Sequence, residues 1–151
     1  MGVVKLESTR LNEFPLGRHQ SSLLVMSSCF FLASSLYAYI FSANYLCITS
    51  FVTALMSINY WRYALPGIRK TLDVTTTHVS FVIFFVTGCL FVRDSLLLIV
   101  GWSLFPFILY FYYMSHAKWE EDNCCWVYYH NLFHLCVTLE QIIVILGSFA
   151  L

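Results

Sequence analysis

Five long apolar runs, separated by short polar segments, set the pattern of this chain. A helix needs about 20 mostly apolar residues to cross a hydrocarbon core about 30 Å thick, whereas barrel strands would alternate over about 10 residues. The pattern predicts an all-α polytopic membrane protein with five transmembrane helices in a single domain over residues 1–151. Residues 1–21 are predicted to form an interfacial N-terminal segment. The predicted spans cover, approximately, residues 22–41, 44–60, 72–92, 95–114 and 124–151.

The cations between the runs predict the orientation in the membrane. With five spans, the N-terminal segment and the loops at 61–71 and 115–123 lie on one side, and the turns near Ala43 and Arg93 lie on the other. Seven of the eight Lys and Arg residues fall on the first side, and Arg93 is the eighth. Because cytoplasmic and matrix-facing loops are enriched in Lys and Arg, the N-terminus is predicted to face the cytoplasm or the matrix.

The composition excludes several classes of protein. The chain is 60% hydrophobic and 11% charged, with a mean hydropathy of +0.75, while soluble domains are about 45–50% apolar and about 25% charged. A soluble globule and a disordered chain are therefore excluded. Eight Lys and Arg residues are balanced by eight Asp and Glu residues, so the basic excess typical of nucleic-acid binding is absent.

Small residues recur along the first apolar run. Ser21, Ser28 and Ser35 follow one another at heptad spacing. Small side chains on one face allow two helix backbones to approach closely in lipid. We therefore predict that Ser28 and Ser35 face another helix.

Ionisable side chains inside the predicted spans are the candidates for a functional site, because charges are costly within a bilayer. Asp73 and His78 lie in the third span, and His130, His134 and Glu140 lie in the fifth. At 1.5 Å per residue, the three histidines lie about 9–15 Å from the starts of their helices, so they are expected in one layer. Glu140 lies deeper, where it suits either proton transfer or a polar contact with the serine face of the first helix.

The spacing of His130 and His134 places both on one helix face, as two imidazoles that share a metal ion would be. His78 would add a third nitrogen, and catalytic zinc is held by three protein ligands with one open position. A b-type haem or a quinone between His78 and one of the pair is an alternative, and so is hydrogen bonding between helices. In each case we expect the pair to face the protein interior near His78, since an imidazole N–H in lipid would be unsatisfied.

A wider pattern places Ser57 near the end of one span, Asp73 at the start of the next, and His130-Asn-Leu-Phe-His134 in the last. This pattern resembles the CREST superfamily, which includes alkaline ceramidases and adiponectin receptors. Members are seven-span, zinc-dependent membrane amidohydrolases, so the resemblance implies that His130 and His134 bind zinc with Asp73 close by. The chain departs from the pattern at Trp61, where the third zinc-binding histidine would stand, and in its five spans.

Two functions follow as hypotheses. The first is a small accessory or structural subunit of a larger membrane complex of the respiratory or photosynthetic type, with no chemistry of its own and no cofactor. Its partners would be the lipid bilayer and other membrane subunits, in the mitochondrial inner membrane or, as an alternative, an endomembrane. The second is a membrane-embedded zinc hydrolase of lipid amides or esters, which would use Asp73 and Ser57 in catalysis and bind the metal through His130, His134 and His78.

Overall fold

The computed structural model describes residues 17–65, 67–121 and 124–150, and these residues fold into helices without a β-strand. The prediction of an all-α membrane protein is confirmed. Four helical stretches are long and apolar enough to cross a membrane, and α3, with 18 residues, is shorter. The helices are α1 (Arg18–Ser28), α2 (Phe30–Ile40), α3 (Asn44–Trp61), α4 (Ile68–Phe91), α5 (Ser95–Glu120) and α6 (Trp126–Phe149).

Three helices extend beyond the limits of the apolar runs that predicted them. α1 begins at Arg18, α4 begins at Ile68, and α5 continues to Glu120. Hydropathy marks the part of a helix that sits in hydrocarbon, but backbone hydrogen bonding continues through polar residues at the membrane interface. Most of the predicted interfacial segment at 1–21 lies outside the described residues, which start at residue 17.

A glycine allows the sharp reversal before α4. Gly67 precedes the helix with φ 131° and ψ −158°, a backbone conformation that is open to glycine and strained for residues with a Cβ. The Thr71 amide donates to the Gly67 carbonyl at 3.1 Å, which closes the first turn of α4. The chain therefore re-enters the bundle within a few residues of the end of α3.

The first span contains a break that the apolar pattern did not predict. α1 ends at Ser28, Cys29 interrupts the helix, and α2 begins at Phe30. The hydroxyls of Ser27 and Ser28 both donate to the Leu24 carbonyl, at 3.0 and 2.8 Å. Serine hydroxyls that bond to the preceding turn compete with backbone amides and bend helices, which accounts for the break at this place.

The predicted serine face is confirmed as a packing surface. Ser28 is fully buried, and its hydroxyl lies 2.9 Å from the Ser57 hydroxyl on α3. The Ser35 hydroxyl donates to the Cys47 carbonyl, also on α3, at 3.0 Å. A second pair of serines, Ser27 and Ser34, faces α6. The Ser34 hydroxyl donates to the Thr138 carbonyl at 3.4 Å. The first span thus lies between α3 and α6, and its small side chains allow close contact with both.

The helix ends define two ends of the bundle. The loop end contains the start of α1, the end of α3, the start of α4, the end of α5 and the start of α6, and there the Ser21 hydroxyl donates to the Trp61 carbonyl at 2.7 Å. The turn end contains the connections at 41–43 and 92–94, and there the rings of Tyr45 and Phe149 lie 6.1 Å apart. The two longer loops therefore share one end, as predicted, and which end faces the cytoplasm or matrix stays a prediction.

The core runs between the first span, α3, α4 and α6, whereas α5 packs along α6 and exposes most of its surface. One apolar cluster near the turn end contains Leu46, Phe84 and Ile145. Large apolar side chains also cover the outside of the bundle, for example Leu96 at 70% and Ile99 at 66% exposure. An apolar exterior of this kind suits contact with lipid tails rather than water.

Candidate functional site

A cavity of about 520 Å³ lies at the loop end, between the ends of α3 and α5 and the starts of α4 and α6. Its volume is within the range of about 300–1,000 Å³ typical of small-molecule sites. Its floor is buried and includes Trp61, Asp73 and His134, and its rim is exposed and includes Lys70, His78, Tyr112, His116, Trp119 and Glu120. The cavity combines aromatic walls with most of the candidate polar residues.

His130 and His134 form the centre of the floor. Their rings lie 4.6 Å apart between centroids, as their spacing on one helix face predicted. A hydrogen bond of 2.9 Å joins His134 Nδ1 to the Ser27 hydroxyl on α1, and one of 3.2 Å joins His130 Nδ1 to the Ser115 hydroxyl on α5. Both imidazoles face the protein interior, as expected, and their hydrogen-bond partners are serines of α1 and α5; that the pair lies near His78 stays a prediction.

Trp61 occupies the space beside this pair. Its ring lies 4.9 Å from that of His130 in an edge-on arrangement and 5.9 Å from that of Trp126. Trp61 is 6% exposed, and its Nε1 has no hydrogen-bond partner among the described residues. Trp61, which stands where the resemblance implies a third histidine, thus contacts His130, and its indole cannot coordinate a metal ion.

Asp73 contributes a buried carboxylate to the same cavity. It is 8% exposed, and the Ser57 hydroxyl lies near its carboxyl group. The Ser57 hydroxyl also lies 2.9 Å from that of Ser28, so hydroxyl groups of α1 and α3 meet beside Asp73. Within the described part of the chain, Asp73 Oδ1 has no hydrogen-bond partner, so this carboxylate retains an unused acceptor.

His78 lies on the exposed rim of the cavity. Its Nδ1–H donates to the Val74 carbonyl, 2.6 Å away and one turn earlier on α4. Across residues 17–65, 67–121 and 124–150, no three His, Cys, Asp or Glu side chains are grouped so that they hold a metal ion. The side chains therefore do not fit a three-ligand zinc site built from His78, His130 and His134, and zinc and haem stay predictions.

Sequence reasoning missed the partners of the histidines. Ser27 adjoins the serine series that was noticed in the first run, but nothing in that series pointed to His134. Ser115 ends an aromatic stretch, and no spacing rule connects it to His130, 15 residues later. Partners of this kind depend on how helices pack against one another, which hydropathy does not encode.

The class of this protein follows from its fold and cavity, without support from any known relative. The geometry defines a helical membrane protein with a cavity at one end of its bundle. No family model matches the chain, and no curated protein or solved structure matches it. The resemblance to the CREST superfamily therefore depends on Ser57, Asp73, His130 and His134, and it stays a prediction.

Proposed function

We propose that this chain is a membrane accessory protein that binds a lipid-type amphiphile in its loop-end cavity and does not hydrolyse it. One observation carries the proposal: a cavity of about 520 Å³ is lined by two residues, Asp73 and Trp61, that each keep a buried polar atom without a hydrogen-bond partner among the described residues. The unused groups are an acceptor, Asp73 Oδ1, and a donor, Trp61 Nε1. Leaving a buried polar group unpaired costs about 1–3 kcal/mol, so a ligand that pairs with both gains affinity.

The chemistry of the walls favours a particular kind of ligand. A head group that carries both an N–H or O–H donor and a carbonyl acceptor can pair with Asp73 and Trp61. Aromatic rings of Tyr112, Trp119 and Phe133 line the same cavity and suit the apolar part of the molecule. Because the rim is exposed at the level where the longer loops begin, an amphiphile can enter with its head group among the polar residues and its tail toward lipid.

Two observations favour binding over hydrolysis. Trp61 stands against His130 where a third metal ligand would be needed, and no metal-holding group is found among the described residues. Zinc hydrolases depend on a metal ion as Lewis acid and as the source of an activated water. The described side chains offer no group of three that could hold such an ion, whereas the aromatic walls of the cavity suit an amphiphile.

A zinc-dependent hydrolase is the second candidate. Asp73, His130 and His134 line one cavity, Ser57 lies near Asp73, and the superfamily resemblance implies such an arrangement.

The two candidates differ in metal content, so the first experiment measures zinc in the protein purified in mild detergent without chelators. We expect well below one zinc per chain in the wild type. Trp61→His adds a third imidazole beside the pair, and we expect this variant to bind zinc at about one per chain. Trp119→His adds an imidazole at the rim instead and is the control.

A wild-type chain that holds one zinc and cleaves a short-chain N-acyl amino alcohol would overturn the proposal in favour of the hydrolase.

The second experiment measures binding of that same amide by its effect on thermal unfolding in detergent. We expect stabilisation of the wild type and at least a fivefold weaker affinity for Asp73→Ala. Thr75→Ala, an exposed substitution on the same helix, is the matched control and should bind as the wild type does. Equal binding by Asp73→Ala and wild type would contradict the assigned site.

The accessory role, its complex and its compartment belong to the same proposal. α5 exposes a largely apolar surface, and the connections between the described helices are short. Both features suit contact with other membrane subunits. We propose association with a larger complex, in the mitochondrial inner membrane as the first location and an endomembrane as the second. Native-gel sizing in mild detergent, combined with organelle fractionation, tests both: migration as a monomer from every fraction would contradict the accessory role.

A further inference from the structure

A second, separate groove at the turn end contains a carboxylate that the proposed function does not use. The end of α4, the start of α5 and the second half of α6 enclose a space of about 50 Å³. Its walls are apolar apart from Glu140 on α6, and they include Phe85, Val92, Trp102 and Phe105. Phe85 and Trp102 are 40% and 52% exposed, so the groove opens to the outside of the bundle, where lipid tails lie.

Glu140 lies far from both ends of α6. It is 14 residues after Trp126 and 9 before Phe149, which places it about 21 Å and about 14 Å from the two helix ends. A carboxyl group at this depth is costly unless it is paired or hydrogen-bonded. The one salt bridge among the described residues joins Lys118 to Glu121 at the loop end, so Glu140 has no cationic side chain as a partner in the described part of the chain.

Two glycines line the groove. Gly88 on α4 and Gly101 on α5 share its wall with Glu140, and a Cβ added at Gly88 would come within 3.2 Å of Val144 Cγ2, so α4 and α6 pack closely there. The walls on the α4 and α5 sides therefore add no polar side chain at these two positions. Glu140 is thus the polar group of an apolar, lipid-facing groove.

We propose that this groove binds a lipophilic amine, with the protonated amino group paired to the Glu140 carboxylate and the apolar tail along Phe85 and Trp102. A cation is the partner that compensates a buried carboxylate best, since charge-assisted hydrogen bonds are about twice as strong as neutral ones. The narrow space admits an amino group on a single chain more readily than a bulky head group. The site lies at the opposite end from the loop-end cavity and is independent of it.

Trp102 provides a local reporter for the test. The other three tryptophans, Trp61, Trp119 and Trp126, line the loop-end cavity, and Trp102 lines the groove. Bromine quenches tryptophan fluorescence on contact, so 11-bromoundecylamine is titrated into the purified full-length protein in detergent. We expect saturable quenching in the wild type that is largely lost in Trp102→Phe, which retains the three distant tryptophans.

The charge requirement is tested with one variant and one neutral probe. Glu140→Gln keeps the size of the side chain and should weaken amine binding at least tenfold, while Glu121→Gln, at the loop end, should leave it unchanged. 11-Bromoundecanol should bind the wild type at least tenfold more weakly than the amine, a comparison that needs no variant to fold. Equal binding of amine and alcohol, or quenching of unchanged amplitude in Trp102→Phe, would overturn the proposal; residual quenching that is lost in Asp73→Ala belongs to the loop-end cavity. So would an absence of amine binding combined with a change in native-gel size in Glu140→Gln, which would assign Glu140 to a partner protein.

Discussion

Two glycines on neighbouring helices near the turn end provide a paired test of how closely this bundle packs. A Cβ added at Gly147 on α6 would lie 2.8 Å from Val92 Cγ1 and 3.1 Å from Val92 Cγ2. A Cβ added at Gly101 on α5 would lie 3.7 Å from Ile143 Cγ2, an ordinary van der Waals distance. The same substitution, glycine to alanine, should therefore have opposite effects at the two positions.

The magnitudes follow from two opposing terms. Replacing a glycine inside a helix by alanine stabilises the folded state by about 0.5–1 kcal/mol, because the unfolded chain has less freedom to lose. Overpacking costs about 1–3 kcal/mol, and the β-branched side chain of Val92 has few rotamers in which to avoid the new methyl group. Gly101→Ala should thus gain about 0.5–1 kcal/mol, and Gly147→Ala should lie about 1–3 kcal/mol below it.

The free energy of unfolding is measured by titrating SDS into the protein in mixed micelles, with tryptophan fluorescence as the signal. Val92→Ala in the Gly147→Ala background removes the two methyl groups that clash and should recover most of the difference between the glycine variants. Equal stabilities of Gly147→Ala and Gly101→Ala, or a double variant no more stable than Gly147→Ala, would refute the packing described at this end of the bundle.

Two further predictions concern the first span and the loops. Ser28→Leu adds a large side chain to a fully buried position against α3, so it should lower the yield of folded protein in size-exclusion chromatography. Ala33→Leu, at an exposed position of the same span, is the control and should not lower the yield. Similar yields of the two variants would argue against the serine contact. In a cysteine-free background, cysteines at Leu65 and Glu121 should react with a membrane-impermeant thiol reagent from the same side, and labelling from opposite sides would contradict the arrangement of the loops.

Hydropathy predicted the helices well because the bilayer imposes a length and an apolar composition on each span. It could not predict the break at Cys29, since that depends on which carbonyl the hydroxyls of Ser27 and Ser28 select. The interior orientation of His130 and His134 was predictable, because an unsatisfied imidazole in lipid is costly.

Other features of the site required the three-dimensional arrangement. The contact between Trp61 and His130 joins residues far apart in the chain, and it depends on α3 and α6 meeting at the loop end. The open space beside Glu140 likewise depends on three helix segments. Asp73, His78, His130 and His134 were named from the sequence and line one cavity, but the hydrogen-bond partners of these residues and the voids beside them are properties of helix packing.

The position of α6 has a consequence for how the protein is made. α6 contacts the first span, α4 and α5, and it is the principal packing neighbour of α5 among the described residues. α6 follows α5 in the chain, so α5 leaves the ribosome before its principal packing neighbour has been synthesised. A messenger with a stop codon before residue 126 would yield α1–α5 without the helix that packs against α5, and cellular quality control should remove this product rapidly. The packing of α5 into the bundle therefore depends on a helix that is made after it.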